Sequence, residues 1–141
     1  MRRLFLMIAM SVALVSGDAK QDVIDLFGTM AAALSESNPG VFLLAIDPAL
    51  PGYARFAADV NALAMQNALS NSIVMAKQEG DDRSQVVELD WLLEITGKAE
   101  SRVFVRRETM VKCRVERQKK RWRVVAFDPP DFFTPPSSDA R

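Results

Sequence analysis

The sequence predicts an α+β fold, with N-terminal helices packed on a strongly curved antiparallel four-stranded sheet. Three observations carry this reading. From residue 20 to about residue 69 the apolar residues recur at helical spacing. From about Ser72 onward they alternate with polar residues, the period of a strand buried on one face. The two patterns are segregated along the chain, which argues against alternating βαβ units.

The first nineteen residues stand apart. Arg2 and Arg3 precede an apolar run from Leu4 to Val15, broken only by Ser11, and the small residues Ser16, Gly17 and Ala19 follow. The run is shorter than the roughly 20 residues a helix needs to span a bilayer core. Basic start, short apolar core and small-residue end together predict a signal peptide over 1–19, cleaved after Ala19 or after Gly17. The expected location is therefore secreted or periplasmic, with no stable membrane span after cleavage. The folded domain is expected over 20–136, and the polar residues 137–141 as a disordered tail.

Within the domain, Val23, Leu26, Phe27, Met30 and Leu34 mark one face of a first helix over 20–36, ended by Ser37-Asn38-Pro39-Gly40. Val41 to Ile46 predicts one or two helical turns, stopped by Asp47-Pro48. Pro51 and Gly52 punctuate the chain before a third helix from Tyr53 to Leu69, faced by Phe56, Val60, Leu63, Ala64 and Asn67. The strands follow at about 72–78, 86–96, 102–116 and 122–127. The second is the clearest: Val87, Leu89, Trp91, Leu93 and Ile95 face one way, and Glu88, Asp90 and Glu94 the other. Matching apolar sets predicts Trp91 opposite Arg107, Leu93 opposite Val105, and Leu89 opposite Thr109. The same reasoning puts Cys113 near Val124 and Val115 near Trp122. Asp128-Pro129-Pro130 stops the last strand, and Phe132 and Phe133 are expected to anchor the C-terminal segment.

Composition removes several kinds of chemistry. The chain is 49% hydrophobic and 26% charged, which is globular rather than disordered composition. Formal net charge is zero, so nothing global draws the chain to nucleic acid or an anionic membrane. There is no histidine, which excludes a histidine-activated serine or cysteine nucleophile. The single cysteine, Cys113, makes neither an intramolecular disulfide nor a cysteine zinc site. No Gly-rich phosphate loop, clustered metal carboxylates or nucleic-acid motif is present, and no cofactor or metal is expected.

The order of elements resembles the nuclear transport factor 2-like superfamily. It runs from an opening amphipathic helix to a short helix near Phe42–Asp47, a third helix, and long antiparallel strands ending in Lys120-Arg121-Trp122-Arg123-Val124-Val125. The ending from Trp122 to Phe133 is similar to exported bacterial members of uncharacterised function. The resemblance covers roughly 21–135. It implies a cone: helices against a bent sheet, with a cavity between, and in many members a homodimer formed through the outer sheet face. The superfamily includes isomerases, dehydratases, cyclases and pure binding modules, so the fold leaves activity open. The resemblance implies that an enzymatic member would place an Asp/His pair or a lone carboxylate in the cavity, and the histidine is missing here.

Four residues are candidates for a site in such a cone. Asp47 would be the base of an enzyme, or simply a turn former before Pro48. Arg107, sorted onto the apolar face, would anchor an anion or carboxylate beside Trp91, or turn outward at the cone mouth. Tyr53 would line the same space. The expected ligand is small and hydrophobic or anionic. Outside the cone, Leu92, Phe104 and Met110 lie among charges on the outer sheet face, a dimer surface or a solvated face with scattered apolar residues. The basic run from Lys112 to Arg123 is a hairpin that is solvated or meets an anionic surface. The function expected is a binding or assembly module using the cone, the outer face or both. The alternative is a small-molecule isomerase, cyclase or dehydratase with a cavity carboxylate.

Overall fold

A computed structural model describes residues 2–98 and 103–136, with side chains described from Asp18 onward. The tail expected over 137–141 lies outside the described residues. The order is α1 (Arg2–Ser35), α2 (Pro39–Leu44), α3 (Tyr53–Gln66), β1 (Asn67–Gly80), β2 (Ser84–Gly97), β3 (Phe104–Gln118) and β4 (Arg121–Asp128). Among the described residues no helix is long and apolar enough to cross a membrane.

Local chemistry sets the helix ends. α1 closes with Ser37 in the left-handed region (φ 56°). There the Ser37 N–H donates to Leu34 O at 3.1 Å and the Asn38 N–H to Ala33 O at 2.8 Å, satisfying carbonyls that the last turn leaves open. Asn38 then caps α2, its side chain accepting from the Val41 N–H, with Pro39 preset for the first turn. Gly52, at φ 74°, makes the entry to α3. α3 passes into β1 with no loop: the Asn67 side chain donates back to Leu63 O at 3.0 Å and is buried with the helix face. Strand pairing claims the chain from there, because Asn67 faces Gly97. The third helix therefore ends three residues before the expected Leu69, and the first strand begins five residues before the expected Ser72.

The sheet is an antiparallel meander in the order β1-β2-β3-β4. It is curled and unclosed, with helices on its concave side, the α+β cone the sequence predicted. Register shifts between Met75 and Lys77 and between Arg114 and Val115 put bulges in β1–β2 and β3–β4. Each sharpens the local bend. The core follows β2, whose inner residues Val87, Leu89, Trp91, Leu93 and Ile95 are all inaccessible to solvent. They pack under Val23, Phe27, Met30 and Leu34 of α1 and Phe56, Val60 and Leu63 of α3.

Two expected registers are corrected. Trp91 faces Thr109, Leu93 faces Arg107, and Leu89 faces Val111, two residues away from the apolar-matching prediction. The slip is even, so every side chain keeps its face, and a face-based argument cannot detect it. On the other side Cys113 faces Phe127, Val115 faces Val124, and Trp122 faces Arg117. Here the bulge, together with a reversal at Lys119–Lys120 (Lys119 φ 61°), displaces the pairing.

Candidate functional site

The resemblance implies a cavity on the concave side of the sheet, and the chain's own C-terminal segment places Phe132 and Phe133 there. After β4 a short turn forms, with the Phe132 N–H donating to Pro129 O at 3.3 Å and the Thr134 N–H to Asp131 O at 3.0 Å. This strap, residues 129–136, inserts Phe132 and Phe133 beneath the helices, and Phe133 is inaccessible to solvent. Its ring meets those of Phe42 (5.3 Å between centroids), Trp91 (5.4 Å), Phe127 (5.5 Å) and Phe56 (5.8 Å). Most of these contacts are edge-to-face, the arrangement the aromatic quadrupole favours. The cluster joins α2, α3, β2, β4 and the strap.

Arg107 fastens the strap from the sheet. It lies half-buried on the inner face of β3, and its Nη1 donates to Phe132 O at 2.7 Å. Burial lowers its pKa and the nearby Asp131 raises it, the first effect being the larger. A guanidinium remains protonated under either influence. A hydroxyl–carboxylate contact, Thr134 Oγ1 to Asp59 Oδ2 at 3.3 Å, ties the far end of the strap to α3.

The four sequence candidates are not assembled into one site. Trp91 is wholly buried, and its Nε1 donates to Asn71 Oδ1 at 3.0 Å. Trp91 and Arg107 do converge, but on Phe132: the indole lies 5.7 Å from its ring, and Arg107 holds its carbonyl. Tyr53 is half-buried in the first turn of α3, packed against the edge of the core. Asp47 sits beyond the edge of β4, where its N–H donates to Val124 O at 2.9 Å. Its carboxylate accepts from the Ala49 N–H at 2.8 Å and from the Gln118 side-chain amide. Those bonds, with a smaller pull from Arg123, hold its pKa below the ordinary aspartate value. A carboxylate held in its charged form this way is a weak base.

Sequence reading missed the polar tie beside this core. Asn71 donates to Ala31 O and Ser35 Oγ, both at 2.9 Å, while accepting from Trp91, and so links α1, β1 and β2. A second tie has Gln78 donating to Gln85 (2.7 Å) and to the Lys20 carbonyl (3.0 Å). Asn71 escaped notice because β1 was expected to start one residue later. A polar residue at an inward position of the strand was the available signal.

Among the described residues the buried polar side chains are Asn67 and Gln85, and no group of His, Cys, Asp or Glu could hold a metal. Cys113 is buried on β3, and burial pushes its thiol pKa up, away from the reactive thiolate. The interior is thus an aromatic core with one guanidinium committed to a backbone carbonyl.

The outer face differs in character. Exposed Val74, Phe104 and Met110 lie there with half-buried Leu92. Cross-strand rows of opposite charge run beside them, such as Lys77-Glu88-Lys112-Asp128.

This architecture recurs in solved structures. The chain is similar to a conserved protein from Planctomyces limnophilus (TM-score 0.68, 9% identity, covering 77% of this chain and 91% of that one). It is similar to an NTF-2 like protein of unknown function from Shewanella oneidensis (0.65, 11%, covering 77% and 95%). It is also similar to a type 2 hexachlorocyclohexane dehydrochlorinase, LinA (0.64, 11%, covering 78% and 82%). No protein-family model matches the sequence, and no curated protein does. Likeness at such identities carries the fold: the chain is built as a nuclear transport factor 2-like cone. Proteins of this fold include an enzyme and proteins of unknown function, so the fold leaves the activity open.

Proposed function

We propose that the chain is an exported binding or assembly module that works through its surface, by pairing of outer sheet faces, and whose cone is closed by its own strap. One observation carries this reading: Phe133 occupies the cone with no solvent access, and Arg107 is spent on the strap backbone. The outer face offers the complementary half of the argument. Its apolar residues are set among charges of both signs, so a second copy can bury Phe104 and Met110 and still pair the rows around them. The test is light scattering of the processed chain beside Phe104→Glu/Met110→Glu. A dimer that the double substitution converts to a folded monomer supports the reading. A wild-type monomer at high micromolar concentration removes it.

Export rests on residues 1–19. Ala19 belongs to the buried core, and the Lys20 carbonyl accepts from Gln78. Cleavage after Gly17 keeps Ala19 in place and fits that packing better than cleavage after Ala19. N-terminal sequencing of the protein recovered from the exporting cell decides this. An intact Met1 would overturn the export reading.

The alternative, a small-molecule isomerase, cyclase or dehydratase, requires a carboxylate facing an open cavity. Asp47 lies outside the cone with both carboxylate oxygens occupied, which weighs against it as the base.

A further inference from the structure

The reversal between β3 and β4 gathers cations that neither the cone nor the sheet face uses. Arg117, Lys119, Lys120, Arg121 and Arg123 fall within seven residues, with no carboxylate among them. Among the described residues none of the five makes an ion pair; the ion pairs are Lys77–Glu79, Arg106–Glu108 and Arg114–Glu116. Antiparallel pairing sets Gln118 opposite Arg121 and Glu116 opposite Arg123, so Gln118, Arg121 and Arg123 share one face of the tip. With Lys119 and Lys120 of the turn they line a concavity of about 360 Å³.

The nearby carboxylates are already engaged. Glu116 pairs with Arg114 at 3.3 Å. Asp47 accepts from Ala49 and Gln118, and Arg123 is the smallest of the influences on its carboxylate. Arg123 itself is incomplete: its Nε is shut off from solvent and has no acceptor. A buried donor without a partner is costly, and the planar guanidinium suits an oxyanion, carboxylate or phosphate, that offers two acceptor oxygens.

We propose that this concavity is a binding site for a phosphate group, with Lys119, Lys120 and Arg121 supplying charge at the rim and the Arg123 side chain adding its charge at the base. Lys119, Lys120 and Arg121 are exposed and reach the ligand from the rim, while Arg123 is half-buried at the base. The phosphate would come from a soluble phosphate ester or from an anionic lipid headgroup. The site is independent of the sheet-face pairing, since neither Phe104 nor Met110 lines it.

The test is a titration of the full chain followed by amide NMR at low salt, with inorganic pyrophosphate as the first probe. Saturable shifts confined to residues 118–123 are expected. Lys120→Glu/Arg121→Glu should weaken binding at least tenfold, with the Leu89 and Trp91 amides unmoved as the check on folding. Monomeric dihexanoyl phosphatidylglycerol, set against the zwitterionic phosphatidylcholine of the same chain length, separates the sources. Binding of the glycerol lipid alone among the two assigns the headgroup, and pyrophosphate binding without it assigns a soluble ester. Absence of saturable shifts at the tip, or a loss under tenfold in the double variant, overturns the site.

Discussion

Replacing Phe133 by alanine removes a ring that touches five other aromatic side chains and no solvent. The space it leaves is walled by Phe42 from α2, Phe56 from α3 and Trp91 from β2, each fixed in its own element, so collapse is restricted. Truncations of this kind cost about 3–5 kcal/mol, the lost transfer energy and the residual cavity adding together. Set against a total stability of roughly 5–15 kcal/mol for a domain, that is a large fraction. With a urea m-value of about 1.5 kcal/mol/M, the midpoint falls by roughly 2–3 M. Phe132→Ala should cost less, since among the described aromatic rings that ring pairs with two, Trp91 and Phe133, against five for Phe133. The assay is equilibrium urea unfolding of both variants beside the wild type, monitored by far-ultraviolet circular dichroism. An apolar void of this kind also takes up small aromatics, so benzene should recover part of the Phe133→Ala loss. A Phe133→Ala loss below about 1 kcal/mol, or Phe132→Ala costing more, would refute the strap as a structural part of the cone.

Three further outcomes follow from the same packing. Asn71→Ala leaves the buried Trp91 Nε1 without its acceptor and frees α1 from β1, and it should cost about 1–3 kcal/mol by thermal or urea unfolding. Asp47 is held below its ordinary pKa, so its carboxylate stabilises the fold at neutral pH and that contribution fades as pH falls below 3.8 through the depressed value. Wild type should therefore exceed Asp47→Asn in stability at pH 6, and acid titration should bring the two curves together. The Cys113 thiol, buried with its pKa raised, should react with a thiol reagent only at the rate of unfolding, whereas prompt reaction in native buffer would contradict the burial.

Much of this architecture is legible in the chain. Strict alternation from Val87 to Ile95 identifies β2 and its inner face, and helical spacing identifies the packed sides of α1 and α3. Boundaries are less legible where pairing overrides local pattern. Asn67 satisfies a helical face and still opens β1, because β2 is long enough to pair with it. The β2–β3 register was off by an even step, to which odd-even sorting is blind, and the β3–β4 pairing was off by two residues at Val115 and three at Cys113, across a bulge that leaves no mark in apolar periodicity. Arg107 lies half-buried on the inner face, one of the two placements the alternation left open. Its partner, the Phe132 carbonyl, is a backbone group 25 residues away, and no side-chain pattern announces it. Phe132 and Phe133 were expected to anchor the C-terminus. That they enter the space of the cone depends on where the sheet's curl carries the end of β4, a property of the whole sheet.

The occupancy of the cone can be read directly from through-space proton contacts of the Phe133 ring. With centroids 5.3 Å from Phe42 and 5.8 Å from Phe56, nuclear Overhauser effects from a selectively labelled Phe133 to both rings should be strong. A Phe133 signal at its unstructured chemical shift, with no contact to either helix, would mean that the cone is open and that a self-closed module is the wrong description.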